Sequence, residues 1–200
     1  MPSHSLIEKI ATAALAAAFV MLPGCTISVK DKGKEGDKRV DIQTPMGDIH
    51  VNEQPDIRET GLSLYAGSRP APKENGDDKK SANVNINGPG FALKVVAAEF
   101  EVDDTPDKII AYYTKELQKF GKPIECRGKW NGAGVNVGEH KKDGSKPVAC
   151  SDQGSGDSVE LKVGTEDNQH IVAVRPEGKG THFALVYVRT RTSDPKPETI

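Results

Sequence analysis

The side chains that could act as nucleophiles do not fall into a catalytic pattern. Ser155 lies between Gly154 and Gly156, but the run lacks the Gly-x-Ser-x-Gly spacing and the strand-to-helix junction that present a hydrolase serine. Its glycines are typical of a flexible turn. The chain also lacks a Gly-rich phosphate-binding loop and a dinucleotide fingerprint. The sequence therefore predicts no enzymatic activity and no cofactor.

Nitrogen and sulfur ligands for a metal ion are few and poorly spaced. None of them forms a Cys-x-x-Cys or a His-x-x-x-His pair; the candidates are His140, His170, His182, Cys126 and Cys150. His170 and His182 bracket the last predicted hairpin and could approach each other. Histidines at strand ends are usually just exposed, so we predict no metal site.

Paired carboxylates, the third feature that could support catalysis, do not form a catalytic pattern either. Glu99, Glu101 and Asp103 alternate along one predicted strand, which puts them on a single face. We expect that face to be exposed and solvated, and we predict no acid–base pair there.

The leader of the chain contains an apolar run that is too short to cross a membrane. Residues 10–22 form a run of about thirteen apolar and small residues, within the range of a signal-peptide core. A spanning helix needs about twenty apolar residues. Pro23 and Gly24 then break the run. We predict an N-terminal signal or anchor helix within a signal peptide at residues 1–24.

The end of this run, Leu22-Pro23-Gly24-Cys25, resembles the lipobox of bacterial lipoproteins. The resemblance implies diacylglycerol on the Cys25 thiol, cleavage after Gly24 and acylation of the new amino terminus. Pro23 departs from the usual Ala or Ser. Thr26 follows the cysteine, and by resemblance to enteric lipoproteins the lack of Asp there favours the outer membrane, facing the periplasm. The alternatives are a plain secretory signal beside a free cysteine, and a short buried helix.

If Cys25 carries lipid, the chain's other two cysteines, Cys126 and Cys150, remain as a pair in an oxidising compartment. We predict a disulfide between them, closing a loop of about 25 residues. Two buried thiols or a metal site are the alternatives.

Composition limits the choice of partner. The chain has 200 residues, a formal net charge of -2 and 5% aromatic residues. A near-neutral balance with few stacking rings gives no reason to expect nucleic acid. After the leader and a polar linker, roughly 130 residues remain, enough for one modest core.

Trp130, the only tryptophan, is the residue best suited to a contact surface. It lies in a polar loop near Arg127 and Lys129, and Trp and Arg are favoured interface anchors. One interpretation is a contact site for a protein partner or an anionic envelope polymer. The other is that Trp130 covers the disulfide and fills a gap under its own loop.

Five segments follow from the pattern of charge and hydropathy. They are a signal peptide at 1–24, a lipidated flexible tether at 25–39, a short β-hairpin and linker at 40–60, an α+β domain at 61–192 and a disordered tail at 193–200. An isolated hairpin is marginal in water, so we expect it to dock on the main domain, on a second copy or on a partner.

Within the main domain, apolar and polar residues alternate strictly at 82–87, as in a half-buried strand, and further strands are predicted at 158–163, 170–175 and 182–190. The apolar set changes face within the strand 91–102, which predicts a bulge. Thr105 and Pro106 start a helix, and an apolar stripe continues to about residue 120. We predict an α+β fold: an antiparallel sheet of about five to seven strands with this one main helix on one face.

The helix segment, TPDKIIAYY at 105–113, resembles a signature of uncharacterised bacterial envelope lipoproteins. In them such a helix follows a Tyr-Pro-Gly-Ala segment; here that segment would be 64–67, with Ala66 where the pattern has Pro. The resemblance implies a small α+β domain in the cell envelope, and it brings no catalytic residues. We therefore expect a non-enzymatic binding or structural module anchored to the membrane through acylated Cys25. The alternative is a periplasmic small-ligand or metal sensor.

Overall fold

A computed structural model describes residues 26–31, 38–52, 56–72, 81–128, 145–150 and 156–192. In chain order these residues form strands β1 Thr26–Asp31, β2 Lys38–Thr44, β3 Gly47–Asn52, β4 Arg69–Pro70, β5 Ser81–Gly88, β6 Phe91–Val102, β7 Ile124–Gly128, β8 Ser158–Thr165, β9 Asn168–Glu177 and β10 Gly180–Thr192. A single α-helix in the described residues, α1 Pro106–Leu117, lies between β6 and β7. Short 3₁₀ turns span Ile57–Thr60 and Gln118–Phe120.

All the strands pair into one antiparallel sheet in the order β1-β2-β3-β5-β6-β10-β9-β8-β7, with β4 beside the end of β6. The prediction of an antiparallel sheet with one helix on one face is confirmed. The predicted count of five to seven strands is wrong, because the described residues form ten. The extra strands come from β1, β2 and β3 joining the main sheet, and from the two-residue β4.

Residues 26–31 form a strand within the segment that we expected to be a flexible tether. Ile27 and Val29 alternate with polar residues, and the whole of β1 pairs with β2. The hairpin of β2 and β3 docks on the main domain, since β3 pairs with β5 from Asp48↔Asn87 to Asn52↔Asn83. The predicted signal peptide at 1–24 and the predicted disordered tail at 193–200 lie outside the described residues.

The helix packs one apolar stripe on the sheet. Thr105 is its N-cap and Pro106 its first residue, so the predicted start is confirmed. Ile109, Tyr113 and Leu117 are fully buried in the main core. They pack with sheet residues such as Phe183, Leu185, Val172 and Leu161. We call this side of the sheet the helix side.

The opposite side, here called the reverse side, carries a second apolar surface. Paired residues of antiparallel strands share a side, and sides alternate along each strand. The register therefore builds two apolar ladders across five strands of the reverse side: Ile27–Ile42–Ile49–Ile86–Leu93 and Val29–Val40–Val51–Val84–Val95. In β10 the same side continues with buried Ala184, Val186 and Val188.

These two surfaces explain the change of face within β6. Val96, Ala98 and Phe100 lie on the helix side, and Leu93 and Val95 lie on the reverse side. β6 pairs with β10 in unbroken register from Phe91↔Thr192 to Val102↔Thr181, so the predicted bulge is wrong. The same pattern arises in a regular strand when the apolar residues of its first half lie on one side of the sheet and those of its second half lie on the other side.

Candidate functional site

The predicted disulfide forms in the structure. Cys126 is buried on β7, and it is bonded to Cys150 with Cα atoms 5.5 Å apart. Next to it, the exposed guanidinium of Arg127 pairs with Glu125 at 2.7 Å. Cys25, Lys129 and Trp130 lie outside the described residues. Lipid attachment and the contact site at Trp130 therefore stay predictions.

The two strand-end histidines do not approach each other. His170 pairs with Tyr187 on the helix side, and His182 pairs with Arg175 on the reverse side. Their strands are neighbours, but the sheet separates the two rings, so no shared ligand set forms. Among the described residues, no group of three or more His, Cys, Asp or Glu side chains could hold a metal ion.

His170 has a structural environment. Its ring stacks between Phe120 at 3.6 Å and Tyr187 at 4.8 Å, measured between ring centroids. Its Nδ1 donates a hydrogen bond of 2.9 Å to the carbonyl oxygen of Thr60. Burial, which disfavours the charged imidazolium, lowers the pKa of His170. The neutral ring thus contacts both 3₁₀ turns, one through Thr60 and the other through Phe120, and connects them to the sheet.

His182 belongs to a polar cluster that the sequence did not reveal. Its Nε2 lies 2.9 Å from Glu99 Oε2, and its Nδ1 lies 3.9 Å from Glu101 Oε1. The side chains of His182, Glu99 and Glu101 are only 2%, 12% and 20% exposed. Glu99 and Glu101 do share a face, as predicted, but the expectation that this face is solvated is wrong for them; Asp103, just past the end of β6, is exposed as expected. β10 brings a histidine beside them from a distant part of the chain.

A carboxylate beside an imidazole is the arrangement that orients a general base. His182 is too deeply buried to offer a ring nitrogen to a substrate. We therefore interpret the cluster as an electrostatic contact that holds β6 to β10.

A groove on the helix side, whose lining includes several polar side chains, is more accessible. It is a shallow cavity of about 180 Å³, lined by Asn85, Asn87, Ala92, Leu93, Lys94, Arg189, Thr190 and Arg191. The asparagines of β5, the lysine of β6 and the arginines of β10 share this side because β5 and β10 flank β6. We call it the Asn–Arg groove.

The charges of the Asn–Arg groove are not all equally available. Lys94 Nζ is held by Glu59 Oε2 at 2.7 Å. Arg189 and Arg191 are exposed, and within the described residues neither forms an ion pair. Guanidinium groups bind carboxylates and phosphates with paired hydrogen bonds, and side-chain amides add donors and acceptors. The groove can therefore bind an anionic group. The sequence alone places Arg189 and Arg191 on one face of their strand, because side chains alternate. Only the register shows that this face is shared with the asparagines of β5, on the other side of β6.

None of the helices in the described part of the chain is long and apolar enough to span a bilayer. No family model, curated protein or solved structure matches the chain.

Proposed function

We propose that this protein is a bacterial lipoprotein of the cell envelope, anchored through Cys25, that serves as a non-enzymatic binding or structural module. The segment Leu22-Pro23-Gly24-Cys25 carries the proposal, because it combines a short apolar leader, a break and a cysteine at the processing position. Several acyl chains on one cysteine give stable anchoring, where a single chain gives only reversible binding.

Two features of the domain support this proposal. β1 starts at Thr26, the residue after Cys25, so the folded sheet would follow directly on the lipid-bearing residue. The bond between Cys126 and Cys150 fits an exported protein, since disulfides persist in oxidising compartments and are rare in the cytosol.

The broad sheet is suited to a binding role. Its helix side carries the Asn–Arg groove, and the sequence after β7 contains Lys129 and Trp130, which are predicted partner contacts. Cations and amides in such a groove recognise anionic groups by hydrogen bonding and need no reaction to do so. An envelope protein or an anionic envelope polymer is the partner class proposed here.

Replacing the lipid-bearing residue tests the proposal. We expect Cys25→Ser to move the protein from the membrane fraction to the soluble fraction or to block its processing. Thr26→Ser keeps the cysteine and serves as the matched control, which should stay in the membrane fraction. Retention of the Cys25→Ser chain in membranes, with normal processing, would contradict the proposal. Thr26→Asp tests the sorting inference, and we expect it to shift the protein from the outer to the inner membrane.

The Asn–Arg groove also favours the alternative function, a periplasmic sensor of a small anionic ligand. A ligand that binds only the folded state raises the apparent stability by mass action. Under this alternative, inorganic phosphate or a small dicarboxylate would raise Tm in a concentration-dependent way. Arg189→Gln with Arg191→Gln would abolish the increase. A Tm unchanged at millimolar ligand would exclude these anions as the sensed ligand.

A further inference from the structure

The most exposed large apolar side chains of the described residues belong to the first strand and to the turn between β2 and β3. Met46 is 75% exposed, Ile27 is 66% exposed and Val29 is 64% exposed. The remaining exposed large apolar residue in the described part of the chain, Leu64, is only 39% exposed. Contiguous exposed apolar surface marks sites of contact with partners or membranes, whereas single exposed apolar residues are common.

The register fixes where this cluster lies. Thr26, at the start of β1, pairs with Gln43 near the end of β2, and Met46 is in the turn that follows β2. Thr26 and Met46 therefore lie at the same end of the sheet. Ile27 and Val29 lie on the reverse side of the edge strand, where the two apolar ladders begin. Only the peptide bond between Cys25 and Thr26 separates the predicted lipid-bearing residue from this surface.

We propose that β1 and the turn between β2 and β3 rest on the lipid bilayer that holds the acyl chains of Cys25. This inference depends on the lipidation proposed above. Acyl chains attached next to β1 would keep the domain at the membrane surface, where the effective concentration of lipid is high. Apolar side chains at such a surface insert at the boundary between headgroups and acyl chains. The occupant of the exposed patch is thus the anchoring bilayer itself.

A defined orientation follows from this contact. The turn between β9 and β10 lies at the other end of the sheet, since Gly180 begins β10 opposite the end of β6. At about 3.3 Å per residue, the length of β6 separates the two ends by about 35 Å. Lys179, in that distant turn, would face away from the bilayer.

A fluorescent label on one introduced cysteine tests the orientation in the acylated full-length mature protein, reconstituted in phosphatidylethanolamine–phosphatidylglycerol vesicles. The label is placed by Met46→Cys or, as the matched control, by Lys179→Cys. Lipids with brominated acyl chains serve as quenchers. We expect the label at position 46 to be quenched at least threefold more strongly than the label at position 179. Ile27→Ser with Val29→Ser should remove most of this difference, whereas Ser28→Ala, on the helix side, should leave it unchanged.

Equal quenching at both positions, in a protein that is acylated and bound to vesicles, would overturn the docking inference and leave the lipoprotein proposal intact. An unmodified Cys25 in the purified mature chain would instead contradict the lipoprotein proposal. Weak quenching at position 46 with excimer emission between pyrene labels there would assign the patch to a second copy of the chain, and that result would also overturn bilayer docking. The comparison of positions 46 and 179 uses unmodified β1, so it does not depend on the folding of the serine variants.

Discussion

The imidazole of His170 stacks on the ring of Phe120, with centroids 3.6 Å apart and planes inclined by 11°. Burial, and to a smaller extent the positive charge of Lys119, lower the pKa of His170, because the folded protein disfavours the charged ring. The unfolded chain keeps the ordinary value of about 6.5. Below that pH the unfolded chain binds a proton that the folded protein resists, so the free energy of unfolding falls. The loss stops below the lowered folded pKa, where both states are protonated.

We therefore expect urea-unfolding stability to decrease as the pH is lowered from about 7.5, through 6.5, toward the lowered pKa of the folded protein. His170→Gln should be less stable at pH 7.5 and should show a smaller decrease over the same interval. Equal pH dependence in the two proteins would show that His170 is not the responsible group.

Removal of the disulfide should destabilise the domain. Cys126 and Cys150 are 24 residues apart, and a loop of that size is worth about 3–4 kcal/mol in the chain-entropy model. We expect Cys126→Ala with Cys150→Ala to lower the free energy of unfolding by about that amount. Dithiothreitol should destabilise the wild type and leave the double variant unchanged. Equal stability of the wild type with and without dithiothreitol would contradict the prediction.

The helix stripe should be sensitive to truncation. Ile109 is completely buried between α1 and the sheet, so Ile109→Ala removes core contacts and leaves a cavity. We expect a loss of about 2–5 kcal/mol in unfolding free energy. Lys115→Ala, at an exposed position of the same helix, should change stability by no more than about 0.5 kcal/mol. Similar losses for both variants would mean that the helix packs on a different stripe.

Docking of the β2–β3 hairpin depends on Gly47. Its φ is +142°, and a Cβ there would lie 2.0 Å from the carbonyl oxygen of Asn87. Gly47→Ala should therefore push β3 away from β5, and amide exchange should accelerate across β3. Amides of β9, in the centre of the main core, should keep their protection. Unchanged protection of β3 would show that the hairpin tolerates the added methyl and that the close approach is not required.

The helix and the disulfide were predictable because their signals are local. Thr105 and Pro106 mark the start of α1, and the stripe from Ile109 to Leu117 has helical spacing. The pairing of Cys126 with Cys150 followed from counting the cysteines that remain if Cys25 carries the predicted lipid. Neither prediction required knowledge of which strands are neighbours.

The candidate sites were not predictable in the same way, because they depend on register. His170 and His182 lie on opposite sides of the sheet because of the turn between β9 and β10, and a shift of one residue would reverse one of them. Glu99 meets His182 only because β6 pairs with β10 across a long stretch of chain. The Asn–Arg groove likewise requires β5 and β10 to flank the same strand. The alternation of side chains shows which residues share a side of one strand, but it does not show which strand is the neighbour.

The added strands have a similar cause. Charged residues in the segment 26–39 predicted a tether, since such a stretch buries too little surface alone. Ile27 and Val29 gain apolar neighbours only when β1 lies beside β2 and extends the two apolar ladders. The stability of this strand is therefore a property of the assembled sheet.

Mass spectrometry of the N-terminal peptide, from the protein as it is made in a bacterial cell, tests lipid anchoring directly. We expect the mature chain to begin at Cys25 and this residue to carry the added mass of diacylglycerol and an N-acyl group. A mature chain that begins elsewhere, or one whose Cys25 has a free thiol, would contradict membrane anchoring and the envelope function built on it.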